Sequence, residues 1–360
     1  MSSDQLNSFR ECIDQLDEQI QRLINERAAC AEQIARIKQA QGEDTVFYRP
    51  EREAQILQKI KARNQGPLSG EEMAHLFREI MSSCLALEQP LRVAYLGPQG
   101  TYTQAAALKH FGHAVHTVSM ATIDEVFREV ESGSAHYGVV PVENSTEGVI
   151  SHTLDTFLSS PLQICGEVEL RIHHCLSSGE NSLAGINKVF SHQQSLGQCR
   201  EWLDTHLPRA ERIAMSSNAE AARLAASTPS AAAIASLEAA EIYGLGVLAK
   251  NIEDRPDNTT RFLVIGRNKV APSGKDKTSL LFSTRNRPGA LYDMLTPLSR
   301  QGVNMTRIES RPSQQAMWDY VFFIDIEGHA EDDKVAAALR ELEAHAAMFK
   351  VLGSYPMAVL

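Results

Sequence analysis

The first forty residues carry apolar side chains at alternating spacings of three and four. This spacing places them on one stripe of a helix, which we predict over residues 4–41, ending near Gly42. The stripe consists of Leu6, Phe9, Ile13, Leu16, Ile20, Leu23, Arg27, Cys30, Ile34 and Ile37. Arg27 stands where an Ile or Leu would pack. Because an unpaired buried charge is costly, we expect Arg27 either to pair with an acid or to hold an anion.

Two shorter predicted helices complete an all-helical block over residues 1–89. Pro50 suits the first position of a helix over 50–64. Ser69 and Glu72 have the capping-box spacing that opens a third helix over 70–88. A three-helix block with one overlong helix buries little apolar surface alone, so dimerisation is favoured.

Residues 91–267 alternate short apolar runs with helical stretches. This pattern predicts an α/β domain with mostly parallel strands, long enough for two lobes with a cleft between them. Strand candidates are Arg92–Leu96, Gly138–Val142, Lys188–Ser191, Ala231–Ala235 and Arg261–Ile265, with helices such as Thr103–Phe111 and Asn218–Ala226.

A polar linker, Ala271–Lys277, separates this block from residues 275–360. The last block has a βαββαβ pattern, which is typical of an α+β ferredoxin-like fold. Its predicted strands are Thr278–Thr284, Val303–Arg311, Trp318–Glu327 and Lys350–Tyr355, and its predicted helices are Pro288–Gln301 and Asp332–Ala346. The chain is therefore predicted to be multidomain: all-α, then two-lobed α/β, then α+β.

Composition narrows the range of functions. The net charge of −10 argues against a nucleic-acid partner. No apolar run reaches the length of a membrane span, and the N-terminus lacks the pattern of a signal peptide. The six cysteines have no CxxC spacing, which favours free thiols in a reducing cytoplasm. Adjacent His173, His174 and Cys175 would point to opposite faces of a strand, so no metal site is predicted.

Further charged residues lie on the core-facing stripes of the helical block. Lys38 follows Arg27 by eleven residues and points the same way, about 16 Å along the axis. Two such cations could close on a small anion. Arg10 lies about 25 Å from Arg27 by the same rise, so it could serve that site only from a partner chain. Glu53 and Glu88 also fall on apolar stripes.

These residues resemble the all-helical chorismate mutase domain. The matching segments are FRECIDQLDEQI, LINERAACAEQIARIK and PEREAQIL. The resemblance implies that Arg10 (from the partner chain), Arg27 and Arg49 surround chorismate, that Lys38 donates to its ether oxygen, and that Glu53 holds the ring hydroxyl. Conversion to prephenate is pericyclic and needs no cofactor, only a dianion held in its reactive conformer beside positive charge.

Two positions depart from some relatives of this mutase. Glu88 stands where a Gln is known, and Cys84 where a Ser can contact substrate. A carboxylate donates a hydrogen bond only when it is protonated. Since burial raises the pKa of a carboxyl group, we expect the mutase to be faster at mildly acidic pH.

Four polar turns lie beside predicted strands of the middle block. Helix N-termini next to such turns suit carboxylates, and the glycine spacing does not match a dinucleotide fingerprint. As a set, the segments GPQGTYTQAA, VPVENSTEG, SHQQSLGQC and TTRF resemble prephenate dehydratase. That family implies two lobes like those of periplasmic binding proteins, with prephenate in the cleft.

The dehydratase reaction expels CO2 and the ring hydroxyl and leaves phenylpyruvate. Thr260 matches the family's essential threonine and is assigned to the leaving hydroxyl, with Glu143 or His192 as the proton source, a choice that the sequence leaves open. The other residues predicted to bind prephenate are Thr101, Asn144, Ser145 and Ser191.

The C-terminal block resembles the ACT regulatory domain through its RPGAL and ESRP segments. The resemblance implies paired ACT domains that bind phenylalanine, the end product, at Gly289, Ala290, Leu291, Glu309, Ser310 and Arg311. A pure dimerisation module is the alternative for this block. For the whole chain, the alternatives are an arogenate dehydratase and a non-catalytic amino-acid-binding regulator. The expected assembly is a homodimer or homotetramer.

Overall fold

The computed structural model describes residues 3–40, 48–284, 287–312 and 320–359. These fall into two compact units. The first contains residues up to 49 together with 57–91 and 111–116, and the second contains 50–56, 92–110 and 117 onwards. Among the described residues, no helix is both long and apolar enough to cross a membrane.

Three helices form the N-terminal part: α1 (Ser3–Ala40), α2 (Pro50–Arg63) and α3 (Gly70–Glu88). The predicted capping box is present, because Ser69 Oγ accepts from the Glu72 amide and Glu72 Oε2 accepts from the Ser69 amide. Helices α1 and α3 pack on each other. The predicted helix end near Gly42 lies outside the described residues.

Much of the apolar stripe of α1 is exposed in the single chain. Phe9 is 67% exposed, and the other exposed members are Leu6, Ile13, Leu16, Ile20, Leu23, Ile34 and Ile37. A contiguous exposed apolar surface of this kind is typical of an interaction site.

The first lobe of the α/β region has a six-stranded sheet of order β2-β1-β3-β11-β5, with β4 beside β3. Its strands are β1 (Arg92–Leu96), β2 (His116–Met120), β3 (Tyr137–Asn144), β4 (Gly148–Val149), β5 (Gln163–Arg171) and β11 (Thr259–Gly266). Its helices are α4 (Tyr102–Phe111), α5 (Ile123–Glu131) and α6 (Ser151–Phe157).

The second lobe has a five-stranded sheet of order β10-β6-β9-β7-β8. Its strands are β6 (Cys175–Ser178), β7 (Lys188–His192), β8 (Glu211–Met215), β9 (Ala231–Ala235) and β10 (Gly246–Ala249). Its helices are α7 (Gln193–Gln198), α8 (Arg200–His206), α9 (Asn218–Ala226) and α10 (Leu237–Ile242), with a 3-10 turn at Leu183–Gly185.

The prediction of mostly parallel strands was wrong. Parallel pairing holds for β1 with β3 and for β7 with β8 and β9. Strand β11 is antiparallel to both β3 and β5, and β6 is antiparallel to β9 and β10. The reason is that the chain leaves the first lobe along β5 and returns to it along β11, so two long linking strands run in opposite directions.

The C-terminal sheet is antiparallel, with order β13-β14-β12-β15. Its strands are β12 (Asp276–Ser283), β13 (Met305–Pro312), β14 (Tyr320–Glu327) and β15 (Met348–Pro356), and its helices are α11 (Ala290–Gln301) and α12 (Asp333–His345). This βαββαβ order confirms the ferredoxin-like prediction. The predicted start of the third strand at Trp318 lies outside the described residues.

Candidate active sites

A cavity of about 300 Å³ lies in the two-lobed region. Its wall comes from the start of α4, the ends of β3 and β7, the first residues of α9, and β11. Among the predicted residues it includes Thr101, Asn144, His192 and Thr260, together with Tyr102, His174, Gln198, Asn218 and Asn258. The motifs that are far apart in sequence therefore meet in one cavity.

The Asn144 amide sets the direction of the Thr260 hydroxyl. Asn144 Oδ1 accepts from the amides of Thr146 (3.0 Å) and Glu147 (3.2 Å), and a main-chain N–H can only donate. The Nδ2 group of Asn144 must then be the donor to Thr260 Oγ1 at 2.7 Å. Since that bond occupies a lone pair of Thr260, the hydroxyl proton remains available to a molecule in the cavity.

The same reasoning assigns the proton on His174. Asn144 also donates to Asn258 Oδ1 (2.9 Å), so Asn258 Nδ2 donates to Gln198 Oε1 (3.2 Å). That oxygen is 2.8 Å from His174 Nε2, which must carry the hydrogen. Burial lowers the pKa of His174, although its bond to Gln198 acts in the opposite direction. His174 is therefore a neutral imidazole whose Nδ1 lies 3.0 Å from the Tyr102 hydroxyl.

A β-bulge in β3 explains why Asn144 faces the cavity. Arg261 pairs with Glu143, but the next residue, Phe262, pairs with Pro141, so Val142 is an extra residue in β3. Bulges re-aim side chains beside active sites. Here Asn144 and Pro141 line the cavity, whereas Glu143 Oε2 lies 2.9 Å from Arg307 Nε of β13.

Two other predicted residues lie behind the cavity wall. Ser191 is buried, and its Oγ is 2.9 Å from Asn218 Oδ1 and from the main-chain oxygen of Ile234. Ser145 is exposed and links the loop after β3 to β11, since its Oγ accepts from the Thr259 amide. Both hold neighbouring groups in place.

The N-terminal helices gather several of the other predicted residues. Arg27, Lys38 and Glu88 are half-buried, and Cys84 is buried. Burial raises the pKa of Glu88, while the charges of Lys38 and Arg27 partly oppose that rise, so these three side chains share one electrostatic environment. Arg10 and Arg49 are exposed, and Glu53 is half-buried in the first turn of α2.

In the C-terminal sheet, the predicted effector residues separate by position. Gly289 has φ +79° and precedes α11, Ala290 is buried and Leu291 is half-buried. On β13, Ser310 is exposed while Glu309 and Arg311 are half-buried. The Arg311 guanidinium binds Asp155 of α6.

Comparison with known proteins identifies three families along the chain. Family models match for chorismate mutase type II at residues 9–89, prephenate dehydratase at 93–270 and the ACT domain at 278–344. The bifunctional chorismate mutase/prephenate dehydratase of Stutzerimonas stutzeri is 59% identical, and that of Pseudomonas aeruginosa is 58% identical, each over 99% of both chains. The chain belongs to this bifunctional family.

The dehydratase and ACT domains also have a similar solved structure. The prephenate dehydratase of Arthrobacter aurescens, in complex with L-Phe, is 36% identical and covers 74% of this chain and 90% of that chain, with a TM-score of 0.68. Both the multidomain fold and the family predicted from the sequence are confirmed.

Several residues of the dehydratase cleft were missed by the sequence reasoning. Gln198 lies within the segment SHQQSLGQC, and Asn258 directly precedes TTRF. Both line the cavity and could have been predicted from those segments. His174 was considered only as a metal ligand. Its place in the chain of hydrogen bonds depends on contacts with residues up to 72 positions away, which a local pattern does not contain.

Proposed function

We propose that this chain converts chorismate to prephenate in its helical domain and prephenate to phenylpyruvate in the interlobe cleft. The observation that carries the second step is the Asn144–Thr260 hydrogen bond of 2.7 Å at the cavity wall. A hydroxyl that accepts from an amide on one side donates more strongly on the other, because hydrogen bonds in a chain polarise one another.

The dehydratase step needs assistance for the departing hydroxide. As the bond from the ring carbon to the carboxylate breaks, its electrons form the aromatic ring, CO2 leaves, and the hydroxyl departs and takes up one proton to become water. The Thr260 hydroxyl would donate to that leaving oxygen. His192 lines the cavity and Glu143 is paired with Arg307, so the geometry favours His192 as the proton source.

The remaining dehydratase residues would hold the substrate. Thr101 Oγ1 donates to the main-chain oxygen of Leu96 (3.0 Å), which fixes the hydroxyl at the edge of the cavity. Asn218 is held through Ser191 and donates to Ser195. The second Nδ2 hydrogen of Asn218 would suit a carboxylate or the keto group of prephenate, whereas Thr101, whose hydroxyl hydrogen goes to Leu96, would shape the edge of the cavity. The fused mutase, whose product is prephenate, supports this substrate over arogenate.

Chemistry in the helical domain would be electrostatic. Arg27 and Lys38 would face the dianion, with Lys38 near the ether oxygen where negative charge develops. Glu53 would hold the ring hydroxyl, and Arg49, Cys84 and Glu88 would complete the pocket. Arg10 would come from a partner chain, and the exposed apolar stripe of α1 supports a homodimer or a homotetramer.

Phenylalanine would act as feedback inhibitor at the ACT domain, through the segments that contain Gly289–Leu291 and Glu309–Arg311. The complex of the Arthrobacter aurescens relative with L-Phe supports this ligand. The cysteines within the described residues are free thiols, which supports a cytoplasmic location.

Thr260→Ala tests the dehydratase assignment. We expect phenylpyruvate formation from prephenate to fall by at least about 10²-fold, the loss typical of removing one donor to a developing charge. Chorismate consumption should be unchanged, because the mutase uses other residues. Two assays measure this: the loss of chorismate gives the mutase rate, and phenylpyruvate formed from prephenate, read by its absorbance in alkali, gives the dehydratase rate. Equal loss of both rates would contradict two separate sites.

A further inference from the structure

The C-terminal domain contacts the dehydratase domain through cations on one face of β13. Along this strand Arg307, Glu309 and Arg311 are half-buried, whereas Ile308 and Ser310 are exposed. Side chains of a strand alternate between its two faces, so both arginines lie on the same side. The partners of these arginines, Glu143 and Asp155, belong to the dehydratase domain.

Arg307 contacts Glu143, which directly precedes the dehydratase-site residue Asn144. Its Nε is 2.9 Å from Glu143 Oε2, and the Arg307 side chain is only 13% exposed. The Glu143 side chain is 38% exposed, so the pair is half-sheltered and is screened less than a pair on the open surface. Glu143 directly precedes Asn144, whose amide directs the Thr260 hydroxyl. Because the two residues are covalently adjacent, a displacement of Glu143 would also displace Asn144.

Two more cations of the C-terminal domain contact residues 155–160, at the other end of the segment that begins with Glu143. Arg311 makes two hydrogen bonds to Asp155 of α6, at 2.8 and 3.1 Å. Lys350 Nζ donates to the main-chain oxygens of Phe157 (2.9 Å) and Ser160 (2.5 Å), just where α6 ends and cations are favoured. The cavity residues Asn144 and 147–150 thus lie between two attachments to the C-terminal domain.

We propose that Arg307 is a positioning residue through which β13 controls the dehydratase cleft. A displacement of β13 would pull Glu143 through the ion pair, turn Asn144 and change the direction in which Thr260 donates. The inference rests on the proposed feedback by phenylalanine, since it names the contact by which the bound effector acts on the cleft. Ser310, one of the predicted effector residues, lies on the exposed face of β13. The same strand thus carries Ser310 on one face and Arg307 on the other, and a secondary-structure element can transmit a displacement between two such groups.

The test separates effector binding from effector response. Arg307→Gln removes the charge and keeps most of the side chain, and Arg300→Gln is the matched control, because Arg300 pairs with Glu341 inside the C-terminal domain at 2.7 Å. Dehydratase rates are measured against phenylalanine concentration for the full-length parent and both variants. Phenylalanine binding to the same proteins is measured by titration calorimetry, and the mutase rate reports the amount of folded enzyme.

We expect R307Q to bind phenylalanine about as tightly as the parent, while the rate ratio without and with saturating phenylalanine shrinks about fivefold or more, within the usual range of allosteric coupling. R300Q should behave as the parent, and Arg307→Lys should recover part of the response. Full inhibition of R307Q would overturn the inference, and so would loss of phenylalanine binding, which would put Arg307 in the effector site. A parent enzyme that phenylalanine does not inhibit would instead refute the proposed feedback itself, and this link with it.

Discussion

Glu88, which we propose to line the mutase pocket, is a carboxylic acid with two cations as neighbours. Burial raises its pKa, and the nearby Lys38 and Arg27 limit that rise. In the ionised form it can only accept hydrogen bonds, whereas the protonated form can donate one. A pocket for an anionic substrate binds it more strongly when Glu88 donates a hydrogen bond, and more weakly when Glu88 carries a negative charge of its own.

Glu88→Gln should therefore change the pH dependence of the mutase. In the parent, the rate should rise as the pH falls toward the raised pKa of Glu88, because the protonated fraction increases. In E88Q the profile should be flat over that range and the rate at neutral pH higher, since an amide donates at every pH. Initial rates of chorismate loss measure this, with the dehydratase rate of each preparation as control. Identical profiles in both proteins would exclude Glu88 as the titrating group.

The candidate dehydratase site was predictable at the level of segments and less so at the level of side chains. Asn144, Thr260, Thr101 and His192 line the cavity as expected. Glu143 does not, because the bulge at Val142 shifts the alternation of β3 by one residue. Such a bulge depends on pairing with β11, more than a hundred residues later, and so leaves no local sequence signal.

At the scale of elements, four buried charges connect the strands of two domains. Arg261 of β11 contacts Glu167 of β5 (2.9 Å) and Asp325 of β14 (2.6 Å), and Lys277 of β12 contacts Glu167 (2.7 Å). The four side chains are at most 13% exposed. Two cations and two carboxylates balance, so the cluster is neutral as a whole. Removing one member would leave an uncompensated buried charge.

Asp325→Ala should destabilise the fold by about 3–5 kcal/mol, the cost of breaking a buried ion pair. Burial alone would raise the pKa of Asp325, but Arg261 and Ser279 hold it below its ordinary value of 3.8. Its contribution is therefore present above pH 3.8 and is lost as the pH falls through the lower pKa of the folded state.

Urea unfolding at pH 7 and at pH 3 measures this difference between the parent and D325A. The difference in the free energy of unfolding between the parent and D325A should be large at pH 7 and smaller at pH 3. Asp293→Ala is the control, because its pair with Arg287 is exposed and worth about 1 kcal/mol or less. A D325A protein as stable as the control variant would show that the cluster contributes no net stability.

The elements that were predicted share a clear pattern. Strands β1 and β9 and helix α9 were predicted with their observed bounds, since each combines an uninterrupted apolar or periodic run with defined ends. Strands β2, β4, β5, β6, β8 and β10 were not among the predictions. Polar or charged residues interrupt the apolar positions of β2, β5 and β8, so pairing with neighbouring strands, which the local sequence does not show, decides that these segments are strands.

On the scale of the whole molecule, α1 presents an apolar face that the described part of its own chain leaves exposed. Arg10 and Arg27 are too far apart on this helix, about 25 Å, to reach one small substrate. A two-fold dimer would resolve both observations, because each helix would cover the other and supply Arg10 to the opposite pocket.

Mixing two inactive variants tests this arrangement. Arg10→Ala and Arg27→Ala should each abolish the mutase and leave the dehydratase active. After subunit exchange, about half of the dimers should be mixed, and each of these has one pocket with both arginines, so about a quarter of the parent activity should return. The chorismate assay measures the recovery, and native mass spectrometry with one variant isotope-labelled shows independently that the subunits have exchanged. No recovery after demonstrated exchange would place both arginines in the same chain's pocket.

The extra residue at Val142 makes the orientation of Asn144 independent of the exact length of β3. If Val142 were deleted, regular pairing with β11 would resume, with Glu143 still opposite Arg261 and Asn144 still opposite Thr260. Residues directly opposite each other lie on the same face of a sheet, so the amide would remain beside the threonine. The loss would fall instead on the hydrophobic core that Val142 helps to fill, and a single-codon deletion here would lower stability before it disturbed the reaction.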